Sequence, residues 1–276
     1  MTPSEPASII GIVLVRNEDI FVERAIRNTI DFCDFMVIAD HYSTDRTFDI
    51  VAQLAAEYPE KIQLVRIGET PESHFLISGY ANSPTWIFAV DGDEIYDPAG
   101  LALMRQDLLD GVYDRWWLLF GNVLNCKEAN PQTGRATGYL APPCRSMTKL
   151  FNFRAIQSWE GAVTHVMANG TIVFNEGWDA SLRLNLHEKW SWEESPYRCL
   201  HTCFMRRSSL DAEGATARPN VSENLRNGIV EKLKRLRDRL LGRPPASAWK
   251  LEKYARGEKV TVDASAFFPG EGGAQG

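Results

Sequence analysis

The stretch Trp86-Ile87-Phe88-Ala89-Val90-Asp91-Gly92-Asp93-Glu94 restricts the possible folds of this chain more than any other. Five apolar, β-favouring residues in a row describe a strand buried on both faces, because a half-exposed strand alternates apolar and polar positions. The strand then runs straight into three carboxylates. Unpaired carboxylates are too costly to bury, so it must end at the rim of a sheet, where acids reach water, a cation or a ligand. Gly92 lets the backbone come close between Asp91 and Asp93, and acids so spaced make a hard oxygen site suited to Mg2+ or Mn2+ with phosphate. The same residues also build ordinary turns, so their neighbours must decide between the two. A calcium hand is disfavoured, since Pro98 interrupts the loop and Ala102 stands where a glutamate belongs.

The neighbours repeat the pattern. Ile9 to Val15 is a second strand of the fully buried kind, and it ends in Arg16, Asn17 and Glu18. Ala25, Ile26, Thr29, Ile30 and Cys33 recur at helical spacing, which predicts a helix over Glu23 to Cys33. Phe35 to Ala39 is a third strand and ends in Asp40. His41 to Thr47 is a polar turn in which Ser43 or Thr44 can cap a helix carrying Phe48, Ile50, Val51, Leu54 and Ala55. Pro59 ends that helix, and Ile62 to Ile67 makes a further strand. Strands alternating with helices of this length imply βαβ units, hence an α/β fold with a mainly parallel sheet flanked by helices.

Three strands thus finish in polar groups, and open α/β sheets bind ligands outside the carboxyl ends of their strands. No Gly-x-Gly-x-x-Gly follows the first strand and no Gly-x-x-x-x-Gly-Lys-Ser occurs, so a glycine loop does not cradle phosphates. A metal held by carboxylates is the remaining way to neutralise a diphosphate.

A formal net charge of −6 over 276 residues argues against a dedicated nucleic-acid binder. The five cysteines, at 33, 126, 144, 199 and 203, are scattered and odd in number, which suggests no disulfide framework and favours a reducing cytoplasm. Cys199, His201 and Cys203 do not converge if they lie on a helix, so zinc is disfavoured. No apolar run approaches the roughly 18 to 20 residues of a membrane span, and Met1 to Ser8 lack the features of a signal peptide. A domain over 8–220 is expected, followed by a basic amphipathic helix and a mobile tail over 221–276. In that helix Leu225, Ile229, Leu233, Leu236 and Leu240 repeat among lysines and arginines. Its apolar stripe either packs on the domain or makes peripheral contact with an anionic membrane through residues 225–243.

The ordered motifs resemble the family 2 glycosyltransferases, whose fold is called GT-A. The residues that carry the resemblance are Val15-Arg16-Asn17-Glu18, then Asp40-His41-Tyr42-Ser43-Thr44-Asp45-Arg46-Thr47, then Asp91-Gly92-Asp93-Glu94. Lys149 to Arg154 and Trp159 to His165 look like the acceptor half of the lipopolysaccharide-core glucosyltransferase-like branch, with Val166 where that branch carries a glutamate. The resemblance implies a nucleotide-sugar donor, with a UDP-sugar favoured, and a glycan or glycolipid acceptor. It implies that Asp40 reads the base, that Asn17 and Glu18 lie beside the nucleoside, that Asp91 faces the ribose and metal, and that Val15, Arg16, Ser43, Asp45 and Gly92 also belong to the nucleotide-sugar site. Asp91 and Asp93 would hold Mn2+ or Mg2+, with a histidine from the C-terminal half, His187, completing the shell. Nucleotidyl transfer and a non-catalytic binding module are the alternatives.

The base that takes the acceptor's proton is sought first in Glu160, then in His165 and Glu188. Glu160 sits in an aromatic-flanked, glycine-bearing turn. Cys126 to Ser146, broken by Pro131, Gly134, Gly138, Pro142 and Pro143, reads as a long loop covering the acceptor site. Glu193 to Ser209 reads as a helix whose final Arg206 and Arg207 suit its dipole or, less simply, a phosphate.

Overall fold

The parallel heart of the molecule is built from the apolar runs. These are β1 (Ser8–Val15), β2 (Phe35–Asp40), β3 (Ile62–Arg66) and β4 (Thr85–Asp91), with α1 (Val22–Thr29) and α2 (Thr47–Glu57) in the first two crossovers. A computed structural model describes residues 7–68, 72–144, 149–160, 171–211 and 252–270. The expected His165 and the basic segment 225–243 lie outside them. After a short helix α3 (Glu72–Phe75) and β4 come β5 (Glu94–Tyr96), α4 (Pro98–Leu109), β6 (Leu118–Phe120), β7 (Asn122–Asn130), β8 (Arg135–Leu140) and β9 (Lys149–Asn152). The remaining strands are β10 (Ile156–Glu160), β11 (Thr171–Phe174), β12 (Arg183–Asn185), β13 (Arg198–His201) and β14 (Lys259–Asp263).

The central sheet has the order β12-β6-β9-β4-β1-β2-β3, with β9 the one antiparallel member. Its two faces are buried by different means. Ile9, Val13, Met36, Ile38, Trp86 and Phe88 pack against Val22, Ile26, Val51, Leu54, Met104 and Leu108 of the helices. Ile10, Ile12, Val37, Ile87 and Ala89 pack against Ile77, Phe153 and Ile156, with the half-buried Trp159, Ile172 and Phe174 of the β10–β11 hairpin. Burial on both faces is why these strands read as unbroken apolar runs. Local signals set the boundaries. Asp97 accepts from the Ala99 and Gly100 amides at 3.0 and 3.2 Å, and Pro98 opens α4 where no intrahelical donor is needed.

A second sheet, β14-β8-β7-β13-β5, stands beside the first. β4 ends in one sheet and β5 begins in the other, so Asp91-Gly92-Asp93 is the joint between them. This sheet corrects several expectations. Cys126 to Ser146 is not a long loop over its described part, because β7 and β8 pair as an antiparallel hairpin that turns at 131–134. The expected helix over Glu193 to Ser209 is instead β13, paired with β7 and β5 and followed by an irregular strap. The chain beyond 221 is not all tail either. β14 pairs with β8, and Val262, Ala264, Phe267 and Phe268 are buried with Leu124, Cys126 and Trp192. The buried Asn28 amide ties α1 to this end of the chain, donating to the carbonyls of Tyr96 at 2.7 Å and Phe267 at 2.9 Å. Among the described residues no helix is long and apolar enough to cross a membrane.

Candidate functional site

Register places the polar strand ends together. Val15 stands opposite Asp40 and Leu14 opposite Asp91, so β1, β2 and β4 deliver their acids to one edge of the sheet. The first two loops are laced to each other. The Asn17 amide donates to Ser43 Oγ at 3.1 Å, the Thr44 amide to Asn17 Oδ1 at 2.7 Å and the Glu18 amide to Thr47 Oγ1 at 2.7 Å. Asp45 accepts from the Thr47 amide at 2.9 Å, the local turn its side chain favours. Asn17 and Tyr42 adopt left-handed backbone, with φ of 52° and 49°. For a tyrosine this is a strained conformation of the kind found at ligand sites.

Asp40 is wholly buried at the end of β2. Its carboxylate accepts from the Ser43 amide at 3.2 Å and from Arg66 Nε at 3.1 Å, and the Arg66 guanidinium lies 3.7 Å from the centre of the Phe48 ring. The acceptor is therefore fixed in place by a backbone donor and a stacked cation. Tyr42, exposed, stands beside the same guanidinium at 5.4 Å. His41 is buried next to it; burial above all, and then the nearby Arg16 charge, hold its imidazole below the ordinary value and neutral at pH 7.

The joint after β4 leaves no room for a side chain at its centre. A Cβ on Gly92 would lie 2.4 Å from Glu18 Oε2 and 3.0 Å from Val15 Cγ1, so any larger residue here would have to push the Glu18 carboxylate aside. Glu94, fully buried, accepts from the Asp91 amide at 3.3 Å and the Tyr96 hydroxyl at 3.1 Å and braces the turn. Asp93 is 2% exposed. Thr202 holds its carbonyl through amide and hydroxyl, at 2.9 and 3.2 Å. Its carboxylate is ion-paired to Arg207 and lies 3.7 Å from His201 Nε2, whose Nδ1 is fixed by Asn125 at 2.8 Å.

Arg207 belongs to the strap after β13, and three consecutive strap residues each take an acid from a different strand-end loop. Arg207 takes Asp93 and lies 3.8 Å from Glu18. The Ser208 hydroxyl donates to Asp45 at 2.5 Å. Ser209 donates to Asp19 through its amide and its hydroxyl, at 2.7 and 2.6 Å. The backbone joins in, with the Ile20 amide donating to the Arg207 carbonyl at 3.1 Å. The charges respond accordingly. Burial would lower the Arg207 pKa, but Asp93 and Glu18 outweigh it and push the pKa up, so the guanidinium is permanently charged. Burial would raise Asp19, yet the two Ser209 hydrogen bonds hold its carboxyl below the usual range.

Of the residues expected from sequence, Val15, Arg16, Asn17, Glu18, Asp40, Ser43, Asp45, Asp91, Gly92 and Asp93 meet at this edge. His187 does not. It follows β12, at the opposite margin of the sheet order from β3, and among the described residues no hydrogen bond or ion pair joins it to Asp91 or Asp93. The histidine brought to Asp93 is His201, the last residue of β13, which no local pattern marked. Glu160 is the exposed last residue of β10 instead of a turn residue, and among the described residues no hydrogen bond or ion pair joins it to the acids. The expected metal set of Asp91, Asp93 and His187 therefore does not gather, and the Asp93 carboxylate is taken by Arg207. Among the described residues no three histidine, cysteine or acidic side chains are placed to hold a metal ion. Cys199 is packed in the core and Cys203 lies 3.6 Å from Asn125 Oδ1.

No protein-family model and no curated protein matches the chain. Solved structures do. They include the mannosyltransferase PcManGT from Pyrobaculum calidifontis in complex with GDP-Man and Mn2+, 18% identical over 54% of this chain and 47% of that one, with a TM-score of 0.34. Glucosyl-3-phosphoglycerate synthase from Mycobacterium tuberculosis, with Mn2+, UDP and glucosyl-3-phosphoglycerate, is 19% identical over 42% and 44%, at 0.31. S. aureus TarS 1-349 with UDP is 15% identical over 53% and 47%, at 0.36. The chain spans less than half the length of each of these structures.

Proposed function

We propose that this chain transfers a sugar from a nucleotide-activated donor to a hydroxyl of a glycan or glycolipid, in a GT-A-like arrangement and in cell-surface polysaccharide or lipopolysaccharide assembly. The observation that carries the reading is the gathering of Asp40, Asp45, Glu18, Asp19 and Asp93, from three strand-end loops, into one hydrogen-bonded set at the sheet's carboxyl edge. That edge is where α/β sheets take nucleotides, and the order of its motifs is the one the resemblance requires.

In this reading Asp40 selects the base. A buried carboxylate pinned by Arg66 and the Ser43 amide is an acceptor for a ring N–H, which favours uridine. Asn17, Glu18 and Ser43 border the nucleoside, and Asp91 faces the ribose. The acceptor oxygen attacks the anomeric carbon as the bond to the diphosphate breaks, and the acceptor's proton passes to a base, with in-line displacement inverting the centre. Glu160 or His165 supplies that base from the end of β10 and the segment after it. Negative charge growing on the leaving diphosphate needs a positive group fixed beside it.

A thermal-shift panel of UDP, GDP, ADP and TDP tests the proposal. One cognate nucleotide at a hundred times its dissociation constant stabilises by about 2.7 kcal/mol, a rise of several degrees for a chain of this size. Asp40→Asn removes the shift. A panel in which no nucleotide moves the transition, with or without Mn2+, overturns the reading.

A further inference from the structure

Arg207 is unusually placed for an ion-paired arginine. Its side chain is 15% exposed, one nitrogen, NH1, is held by Asp93, and Glu18 stands 3.8 Å from that same nitrogen. Nε is buried with no hydrogen-bond partner among the described residues, and NH2 makes none there either. A guanidinium offers its donors in a planar fork, and a buried donor is costly to leave without an acceptor. A fork half committed to a carboxylate and half vacant has the geometry that takes a second oxyanion.

We infer that Arg207 is the cation that receives the donor's diphosphate. NH1 stays on Asp93 while NH2, which has no partner among the described residues, donates to a phosphate oxygen, so Asp93 anchors an arginine instead of a metal ion. The inference rests on the nucleotide-sugar reading and names the group that meets its unmet need for positive charge. Several contacts keep the guanidinium there. The Arg207 carbonyl accepts from Ile20, and the next two residues are bonded to Asp45 and Asp19. A divalent ion that claimed Asp93 would have to expel Arg207 and leave it against Glu18 alone. No bond is made or broken at Arg207. It stabilises the negative charge that grows on the leaving diphosphate oxygen as the anomeric bond breaks, and its pair with Asp93 is kept throughout. Glu18 and Asp93 keep a surplus of negative charge around the fork, so a bare anion binds more weakly here than a nucleotide that also meets Asp40.

The test uses the full chain stripped of metal by a chelator. Inorganic pyrophosphate and the nucleoside diphosphate panel are titrated calorimetrically in EDTA and again in excess Mn2+. The inference expects pyrophosphate and the cognate nucleotide to bind in EDTA, within threefold of their affinity in Mn2+. It expects Arg207→Gln to weaken both at least tenfold, and Arg207→Lys to rescue little, since an ammonium lacks the fork. Binding in Mn2+ alone overturns it and leaves the nucleotide-sugar reading standing. Binding of neither probe under either condition overturns both. The comparison of EDTA with Mn2+ needs no variant, so it decides the matter even if Arg207→Gln fails to fold.

Discussion

The buried triad of Asp93, Arg207 and Glu18 makes an asymmetric prediction about stability. Arg207→Met removes the cation but keeps most of the side chain's volume and the strap's backbone bonds. It strands Asp93, 2% exposed, beside Glu18, with the His201 imidazole 3.7 Å away. Orphaning one member of a buried ion pair costs about 3–5 kcal/mol. Asp93→Asn should cost less, about 1–3 kcal/mol, because Arg207 keeps Glu18 at 3.8 Å and the asparagine still accepts a hydrogen bond. The double variant should be more stable than Arg207→Met alone, since the stranded charge is gone. Urea denaturation at pH 7, followed by tryptophan fluorescence, supplies the three free energies and the coupling between the sites. If Arg207→Met stays within about 1 kcal/mol of the parent, or the two single costs simply add, the ion pair is not the buried contact described.

Two further outcomes follow from the same edge. Gly92→Ala forces Glu18 Oε2 to retreat from 2.4 Å, an overpacking cost of about 1–3 kcal/mol that Glu18→Ala in the same chain should largely relieve, as thermal unfolding would show. The Asp19 carboxyl titrates below its ordinary value in the folded protein. Its grip on Ser209 is therefore complete above the unfolded value of about 3.9 and is lost as pH falls through the lower folded value. Hydrogen exchange of the 207–211 amides should quicken over that acid range in the parent and show no such step in Asp19→Asn.

The parallel half of the fold was legible because strands buried on both faces write themselves as apolar runs, and because Asp40 and Gly92 do their work within a few residues of where they stand. Gly92 in particular was readable as a close approach, although the partner, Glu18, was not. The second sheet was harder to read. β13 is four residues long and owes its existence to pairing with β7 and β5, so its local pattern passed for a helix. Gly134, Gly138 and Pro131 broke the alternation of a hairpin whose turn they make and whose strands they interrupt. Gly138 is demanded by the Asn125 carbonyl, 2.2 Å from where its Cβ would be, which is a tertiary fact with no local signature. The same blindness cost the site its strap. Arg207, Ser208 and Ser209 meet acids 114, 163 and 190 positions away, and His201 was passed over for His187 because no short pattern says which histidine the fold returns to Asp93.

β14 carries a consequence for biosynthesis. Thr261 meets Thr137 at 2.9 Å across a separation of 124 residues, so the β8 margin of the second sheet waits unpaired while all the intervening chain is translated. The nascent polypeptide can assemble β1 to β4 early, but it must carry an open hydrogen-bonding margin until residue 263 clears the ribosome. Translation that stalls between 211 and 259, or proteolytic nicking there, would leave that margin bare and inviting to a neighbouring chain. Chaperone demand should accordingly fall late in synthesis, well after the acid-bearing loops have emerged.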